Sequence, residues 1–249
     1  MSIHHISLRQ IPDLEASCCC IGNFDGVHIG HQELIKETIR QAGLLKTRSA
    51  ALLFSPDPSD VIFPQRANEH LTSINERISL MKSFGIQEFY VLDFDQEFMK
   101  LPASDTVSFL NKLNIRILIC GFDFSYGYKA QGNPQILKND VNREFGLKII
   151  DEVQINNVKV SSSLIIPMIR KGQINGVLHQ LNHDYRVAFS SHDGIIKSFQ
   201  GILPDNGTYK VRVNDADHVL HCENGSFRFP DGLTADSLMI FLSDSKVRL

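Results

Sequence analysis

Between Ser17 and Asn182 the chain repeats one pattern: a short unbroken apolar run, then a longer stretch with helical periodicity. The runs are Cys18–Ile21, Ser49–Phe54, Glu88–Phe94, Ile115–Cys120 and Leu147–Val153. None alternates polar with apolar residues, as a strand with one wet face does. Each therefore reads as a strand buried on both faces, the mark of a parallel sheet. The helical stretches are Gln32–Ala42, Ile74–Phe84, Ala103–Lys112 and Pro134–Glu144, with Gly85 and Gly146 where helices stop. This alternation restricts the chain to an α/β fold with an open doubly wound sheet. In such sheets ligands bind outside the carboxyl ends of the strands. Four informative segments fall there or just after: 22–31, 54–64, 121–132 and 160–170.

After Tyr185 the texture changes. Val187–Phe189, Ile195–Phe199, Gly207–Val213, His218–Cys222, Ser226–Phe229 and Leu238–Leu242 are short β-like runs. Asp205-Asn206-Gly207, Glu223-Asn224-Gly225 and Asp231-Gly232 punctuate them as turns, which predicts a small antiparallel β-barrel or sheet. The expected domains are 1–186 and 187–249. A net charge of −3 offers no broad basic field, so nucleic acid is not an expected partner. No apolar stretch approaches a membrane span and the polar start is no secretory signal, so the expected location is the cytoplasm. Cys18, Cys19 and Cys20 lie consecutively in an apolar strand, where they read as small hydrophobes. Nothing in the sequence specifies an oligomeric state.

The first apolar run ends in Gly22-Asn23-Phe24-Asp25-Gly26-Val27-His28-Ile29-Gly30-His31. His28 and His31 stand at i and i+3 where a helical pattern begins, and on a helix that spacing puts both imidazoles on one face. The unpaired N–H groups of a first helical turn suit an anion, and the glycines let phosphates approach the backbone. Taken alone, His-x-x-His is equally a surface pair, and a zinc reading lacks a fourth ligand. The context of strand, glycine-rich turn and helix favours a nucleotide-phosphate site, with no protein-bound metal cluster expected.

Four segments together resemble the adenylyltransferase (FAD synthetase) module of the bacterial riboflavin kinase/FAD synthetase family. They are the Gly22–His31 string; Phe54-Ser55-Pro56-Asp57-Pro58 with Leu71-Thr72 and Glu76-Arg77; Gly121-Phe122-Asp123-Phe124-Ser125-Tyr126-Gly127 with Gly132; and Val160-Ser161-Ser162-Ser163. The resemblance covers roughly residues 15–186. It implies a HIGH-type nucleotidyltransferase that uses ATP, FMN and Mg²⁺ to make FAD and pyrophosphate. On it, His28 and His31 contact ATP phosphates, and Asn23 and Asp25 order the turn or the metal shell. Gly22, Phe24 and Gly30 belong to the nucleotide loop. Ser162, Ser163 and Lys159 face pyrophosphate oxygens. Asp123 and Tyr126 line the nucleotide and flavin pockets, and Tyr126 and Phe63 stack on the flavin ring. Read without the resemblance, Glu76 and Arg77 are an exposed capping and surface pair, and Ser161–Ser163 an ordinary N-cap.

The chain departs from the family pattern in three places. The serine motif runs on to Ile166 where the family usually has arginine, and the expected substitutes are Arg170, one turn further on the same face, and Lys159. Asp57 stands where the family often has histidine. The C-terminal part lacks the family's Gly-Phe-Pro-Thr-Ala-Asn kinase signature, and Glu223, the one glutamate after Glu152, falls in a turn. The expected function is an FAD synthetase without riboflavin kinase activity. The alternatives are a non-catalytic flavin or nucleotide sensor, and a related nucleotidyltransferase with another phosphate acceptor.

Overall fold

The structure, a computed structural model, describes residues 2–66 and 69–246. The chain divides into two compact units. The first gathers Met1–Phe24, Gly30–Ala67 and Ile78–Val153; the second gathers Asp25–Ile29, Asn68–Arg77 and Gln154–Leu249.

The first unit is a six-stranded sheet built from β1 (Ser2–Ile6), β2 (Ser17–Ile21), β3 (Arg48–Ser55), β4 (Glu88–Asp93), β5 (Ile115–Gly121) and β6 (Gly146–Ile150). The spatial order is β1-β4-β3-β2-β5-β6 and every pairing is parallel. The chain winds outward from β2 through β3 to β4, then crosses to β5 on the other side of β2. The winding reverses between β2 and β5, the place where sheets of this type hold ligands. All five residues of β2 are buried, which accounts for its unbroken apolar run. Tyr90, Leu52, Cys19 and Leu118 form the centre of this core. Its helices are α1 (Ile29–Leu45), α2 (Pro58–Ile62), α3 (Ile74–Ser83), α4 (Gln96–Met99), α5 (Ala103–Asn111) and α6 (Pro134–Asn139), although Ile29 of α1 and residues 74–77 of α3 group with the second unit.

The second unit begins with a hairpin, β7 (Gln154–Ile155) and β8 (Val158–Lys159), then α7 (Ser162–Arg170) and α8 (Ile174–Leu181). A closed barrel follows, made of β9 (Tyr185–His192), β10 (Ile195–Gln200), β11 (Gly207–Val213), β12 (Ala216–Glu223), β13 (Ser226–Arg228) and β14 (Ala235–Lys246). Its order is β10-β13-β12-β11-β14-β9. Asn224 (φ 49°) and Gly225 (φ 80°) make the left-handed hairpin turn that an Asn-Gly pair favours.

This unit reaches further back than a boundary at 186/187. Ile165, Ile169, Ile174, Val177 and Leu181 of α7 and α8 share one core with barrel residues Tyr185, Val187, Tyr209, Met239 and Phe241. The physical reason is that both helices bury their apolar stripe against barrel side chains. Leu71 joins the same core, which places the 68–77 segment in this unit.

Candidate active site

The turn after β2 is bent by three left-handed residues, Phe24 (φ 56°), Gly26 (φ 73°) and Val27 (φ 41°). A Cβ on Gly26 would meet Leu71 Cδ1 at 2.6 Å, so glycine is needed there for space as well as for its backbone angle.

Residues 25–29 of this turn belong to the second unit, and other segments of that unit pin them from several directions. The Asp25 carboxylate accepts from the Leu71 N–H (3.0 Å), the Thr72 N–H (3.0 Å), the Thr72 hydroxyl (3.1 Å) and Arg77 Nη2 (3.1 Å). The Gly26 N–H donates to Thr72 Oγ1 at 2.8 Å, and the Asp25 carbonyl accepts from Ser162 Oγ at 3.1 Å. Of the two roles expected for Asp25, this geometry supplies the ordering of the turn: four donors occupy a carboxylate's acceptor capacity.

His28 is buried and lies one residue before α1, while His31 is in the helix's first turn. Helical spacing therefore governs His31 alone, and the pinned turn sets where His28 lies. The His31 ring rests 5.2 Å from that of Phe24, which is fully buried, so Phe24 is a core support rather than an exposed ligand contact. Gly22 and Asn23 are half-buried in the turn, and Gly30 is the second residue of α1.

Ser161 takes the N-cap position of α7 in extended conformation, but its side chain makes no capping bond. Ser162 is committed to the Asp25 carbonyl, Ser163 is exposed at the helix start, and Lys159 is half-buried on β8. Ile166 packs against the apolar core of this unit. Arg170 is at the far end of α7, eight residues and roughly 12 Å from Ser162 at 1.5 Å per residue. It pairs with Asp205 (3.5 Å) and Glu69 (4.0 Å), so it does not stand in for the missing arginine. The expected reach back fails because the ridge from 166 to 170 leads away from the helix N-terminus.

The first unit holds a cavity of about 610 Å³, lined mainly by apolar side chains that include Ile21, Phe54, Phe94, Phe124 and Tyr126. That size suits a drug-sized or cofactor-sized molecule. Ile21, which lines it, is the last residue of β2, so the glycine-rich turn begins at the next residue. Phe63, 46% exposed, stands in the lining just after α2. Tyr126 stacks on Phe124 (centroids 5.7 Å apart, planes at 18°) and lies over Gly132, where a Cβ would come within 2.4 Å of its ring. Its hydroxyl is buried with no hydrogen-bond partner among the described residues, and burial raises its pKa. Asp123 is exposed after β5, its Oδ1 close over Gly121. Asp57, the departure from histidine, caps α2 by accepting from the Ser59 N–H at 3.0 Å.

Arg77 is 3% exposed and belongs to the Asp25 clamp, not to the surface. Glu76 does cap: it accepts from the Ser73 N–H while Ser73 Oγ accepts from the Glu76 N–H, a reciprocal box readable from Ser-x-x-Glu. Burial raises the Glu76 pKa. His183, absent from every motif, also reaches the turn, with Nε2 3.0 Å from the Gly26 carbonyl oxygen. No group of three or more His, Cys, Asp or Glu among the described residues is arranged to hold a metal ion. No helix among them is long and apolar enough to cross a membrane.

Comparison with known proteins fits this arrangement. The sequence profile of the FAD synthetase family matches residues 10–164. A bifunctional riboflavin kinase/FMN adenylyltransferase of Listeria monocytogenes is 32% identical over 235 residues, 87% of this chain and 74% of that protein. A second protein of that organism, named FAD synthetase, is 25% identical across 85% of this chain and 87% of its own length. A crystal structure titled as a macrolide-efflux protein from Streptococcus pneumoniae superposes with a TM-score of 0.83 over 99% of this chain and 91% of the other. At 21% identity it speaks to the fold alone. This chain belongs to the FAD synthetase family.

Proposed function

We propose that the chain transfers AMP from ATP to FMN, forming FAD and releasing pyrophosphate, and that it does not phosphorylate riboflavin. An FMN phosphate oxygen attacks the α-phosphorus of ATP as the bond to the bridging oxygen of pyrophosphate breaks. The nucleophile is already an anion at neutral pH, so no general base is required. The difficulty is to hold two anions together and to stabilise charge on the departing pyrophosphate, a task for positioning and electrostatics.

The observation that carries this reading is the apolar, aromatic cavity of the first unit, whose lining includes Ile21, the last residue of β2 and the one that precedes the glycine-rich segment in sequence. The cavity suits the isoalloxazine ring, with Phe63 and Tyr126 in its wall. The turn, with His28, His31 and the first N–H groups of α1, suits triphosphate oxygens. Asn23, Gly22 and Gly30 shape the approach, Ser162, Ser163 and Lys159 serve the pyrophosphate, and Asp123 serves the nucleotide. With the Asp25 carboxylate committed to four donors, Mg²⁺ would arrive with ATP and offset phosphate charge rather than be held in a cage of protein ligands.

The absence of kinase activity rests on sequence: the kinase signature is missing, and Glu223 belongs to a strand end beside the Asn224-Gly225 turn. The packing of Ile166 into an apolar core, where a phosphate-facing guanidinium is expected, favours a second reading as a non-catalytic flavin or nucleotide sensor.

One assay separates these. The purified chain with FMN, ATP and Mg²⁺ releases pyrophosphate and forms FAD, whereas riboflavin with ATP yields no FMN. Binding of FMN and ATP without turnover supports the sensor. His28→Ala lowers kcat at least about tenfold more than it weakens FMN binding. Equal losses mean that His28 only holds the fold.

A further inference from the structure

Among the described residues that line the apolar cavity, one carries a charge: Lys129. It belongs to the loop 127–131, whose ends are tied by a bridge between Tyr126 and Gly132. The Tyr126 N–H donates to the Gly132 carbonyl at 3.1 Å, and the Gly132 N–H returns to the Tyr126 carbonyl at 2.9 Å. Two more contacts fix the loop near the start of α5. The Tyr128 N–H donates to the Leu101 carbonyl at 2.7 Å, and a Cβ on Gly127 would come within 2.8 Å of the Ala103 backbone. Held in this way, Lys129 (φ 54°) and Ala130 (φ 56°) are both left-handed, a conformation that non-glycine residues keep only where their surroundings impose it.

The Lys129 ammonium lies 5.3 Å from the centre of the Tyr128 ring, which belongs to the same wall, and forms no ion pair among the described residues. Hydrogen-bonding groups are scarce elsewhere in the lining. The Thr106 hydroxyl is spent on the Pro102 carbonyl at 3.1 Å, and that of Tyr126 is buried. A flat ligand filling this cavity therefore meets apolar side chains along most of its length and a cation at the exposed place where Lys129 stands.

We propose that Lys129 is a specificity-determining residue for the flavin ring: its ammonium meets the pyrimidinedione edge, which carries two carbonyl oxygens. The dimethylbenzene edge then faces the aromatic wall of Phe94, Phe98 and Phe124. The proposal rests on the adenylyltransferase reading and deepens it by choosing between the two ends of the ring. Desolvation makes the choice. Carbonyl oxygens taken into an apolar cavity without donors lose their hydrogen bonds to water, whereas the dimethylbenzene edge has no polar atom and gains by burial. A donor carried on a loop that is tied before the ligand arrives costs less ordering on binding.

Binding of riboflavin and of FMN to the full chain without ATP, each followed by flavin fluorescence, tests this. Lys129→Met is expected to weaken both by the same factor, roughly tenfold, because the lost contact is to the ring they share. Lys129→Arg should keep both within about threefold, since it retains the charge and the stacking on Tyr128. Lys129→Gly removes the ammonium while relieving the left-handed backbone, so it should weaken binding as Met does. In turnover, the Met variant should raise KM for FMN by about tenfold and leave kcat unchanged, as expected for a contact remote from the reacting phosphate. The wild type should also bind 2-thio- and 4-thioriboflavin less tightly than riboflavin, sulfur being the poorer acceptor, and the Met variant should lose that preference.

Unchanged riboflavin binding in the Met variant overturns the proposal. A loss confined to FMN overturns it too, for it places the ammonium at the phosphate, and so does full binding by the Gly variant. In each of these cases a wild type that binds both flavins leaves the adenylyltransferase reading standing. A wild type that binds neither removes that reading and the proposal with it.

Discussion

Asp25→Asn is the most direct test of the clamp behind the turn. The carboxylate receives four donors: the Leu71 N–H on Oδ2, and the Thr72 N–H, Thr72 hydroxyl and Arg77 Nη2 on Oδ1. Asparagine keeps the shape but replaces one acceptor with an N–H₂. The less costly orientation sets that group against the Leu71 N–H, so one bond is lost and two donors oppose each other, a cost of about 1–3 kcal/mol. Arg77, 3% exposed, also loses its counter-charge in Asp25. Breaking a buried pair from one side raises the total to about 3–5 kcal/mol. At roughly 2–4 °C per kcal/mol for a chain of this length, the melting temperature should fall by about 6–20 °C. Calorimetry or a dye-monitored melt measures it, with Arg77→Met alone and combined with Asp25→Asn completing a double-mutant cycle. The second substitution should cost at least about 1 kcal/mol less on top of the first than it does alone. A fall below 2 °C, or strictly additive losses, would refute the reasoning.

Three further outcomes follow from particular residues. Tyr126→Phe removes a buried hydroxyl that has no partner among the described residues, so the ligand-free protein should melt higher, by the equivalent of about 1 kcal/mol; a lower melting temperature means the hydroxyl is bonded in solution. Burial pushes the Cys20, Cys120 and Cys222 thiols up to about 12 and raises those of Cys18 and Cys19, so a thiol-specific reagent at pH 8 should label the native chain only slowly and all five cysteines after denaturation. Glu37 is held at about 2 instead of 4.5, chiefly by Arg40, so its stabilising effect is complete above pH 4.5 and is lost as pH falls from there towards 2. Urea midpoints across that range should drop less in Glu37→Gln than in the wild type.

The sheet was legible where burial on both faces made the strands continuous apolar runs, and β2 to β6 fall where those runs lie. β1 escaped that reading because it is an edge strand. Ser2, Ile3 and His5 are exposed, His4 is half-buried and only Ile6 is buried, so no apolar run marks it. The barrel was legible through its turns, since Asn-Gly pairs dictate left-handed geometry whatever the packing. The extent of the second unit was not, because the partner of an amphipathic stripe is not written in its periodicity. Nothing in α7 or α8 says that their apolar faces meet barrel residues rather than the sheet. His28 and His31 stand out in the sequence by their setting, and Tyr126 by its motif. Arg77 was underrated because a helix-start arginine is usually wet, and burial is decided by which loop folds over it. His183 carried no signal in a one-dimensional reading, for its role depends on a left-handed Asn182 that aims it at a carbonyl 157 residues away.

These misses share a cause that bears on how the site works. Phe24 and Val27 are non-glycine residues at positive φ, and both are fully buried. Each such residue costs of order 1–3 kcal/mol and persists only under pressure from its surroundings. The structure supplies that pressure through Leu71, Thr72, Arg77, Ser162 and His183, which act on backbone and carboxylate atoms of just two residues, Asp25 and Gly26. Donors fixed before the substrates arrive need no reorganisation when charge develops, and this is where electrostatic catalysis gains most. It also explains why residues 25–29 are grouped with a unit that lies mostly more than a hundred residues later in the chain. The turn follows β2 in sequence, but its hydrogen-bond partners come from later segments of the second unit, to which it belongs. Loss of an interaction in that unit can therefore reach turnover without touching a substrate.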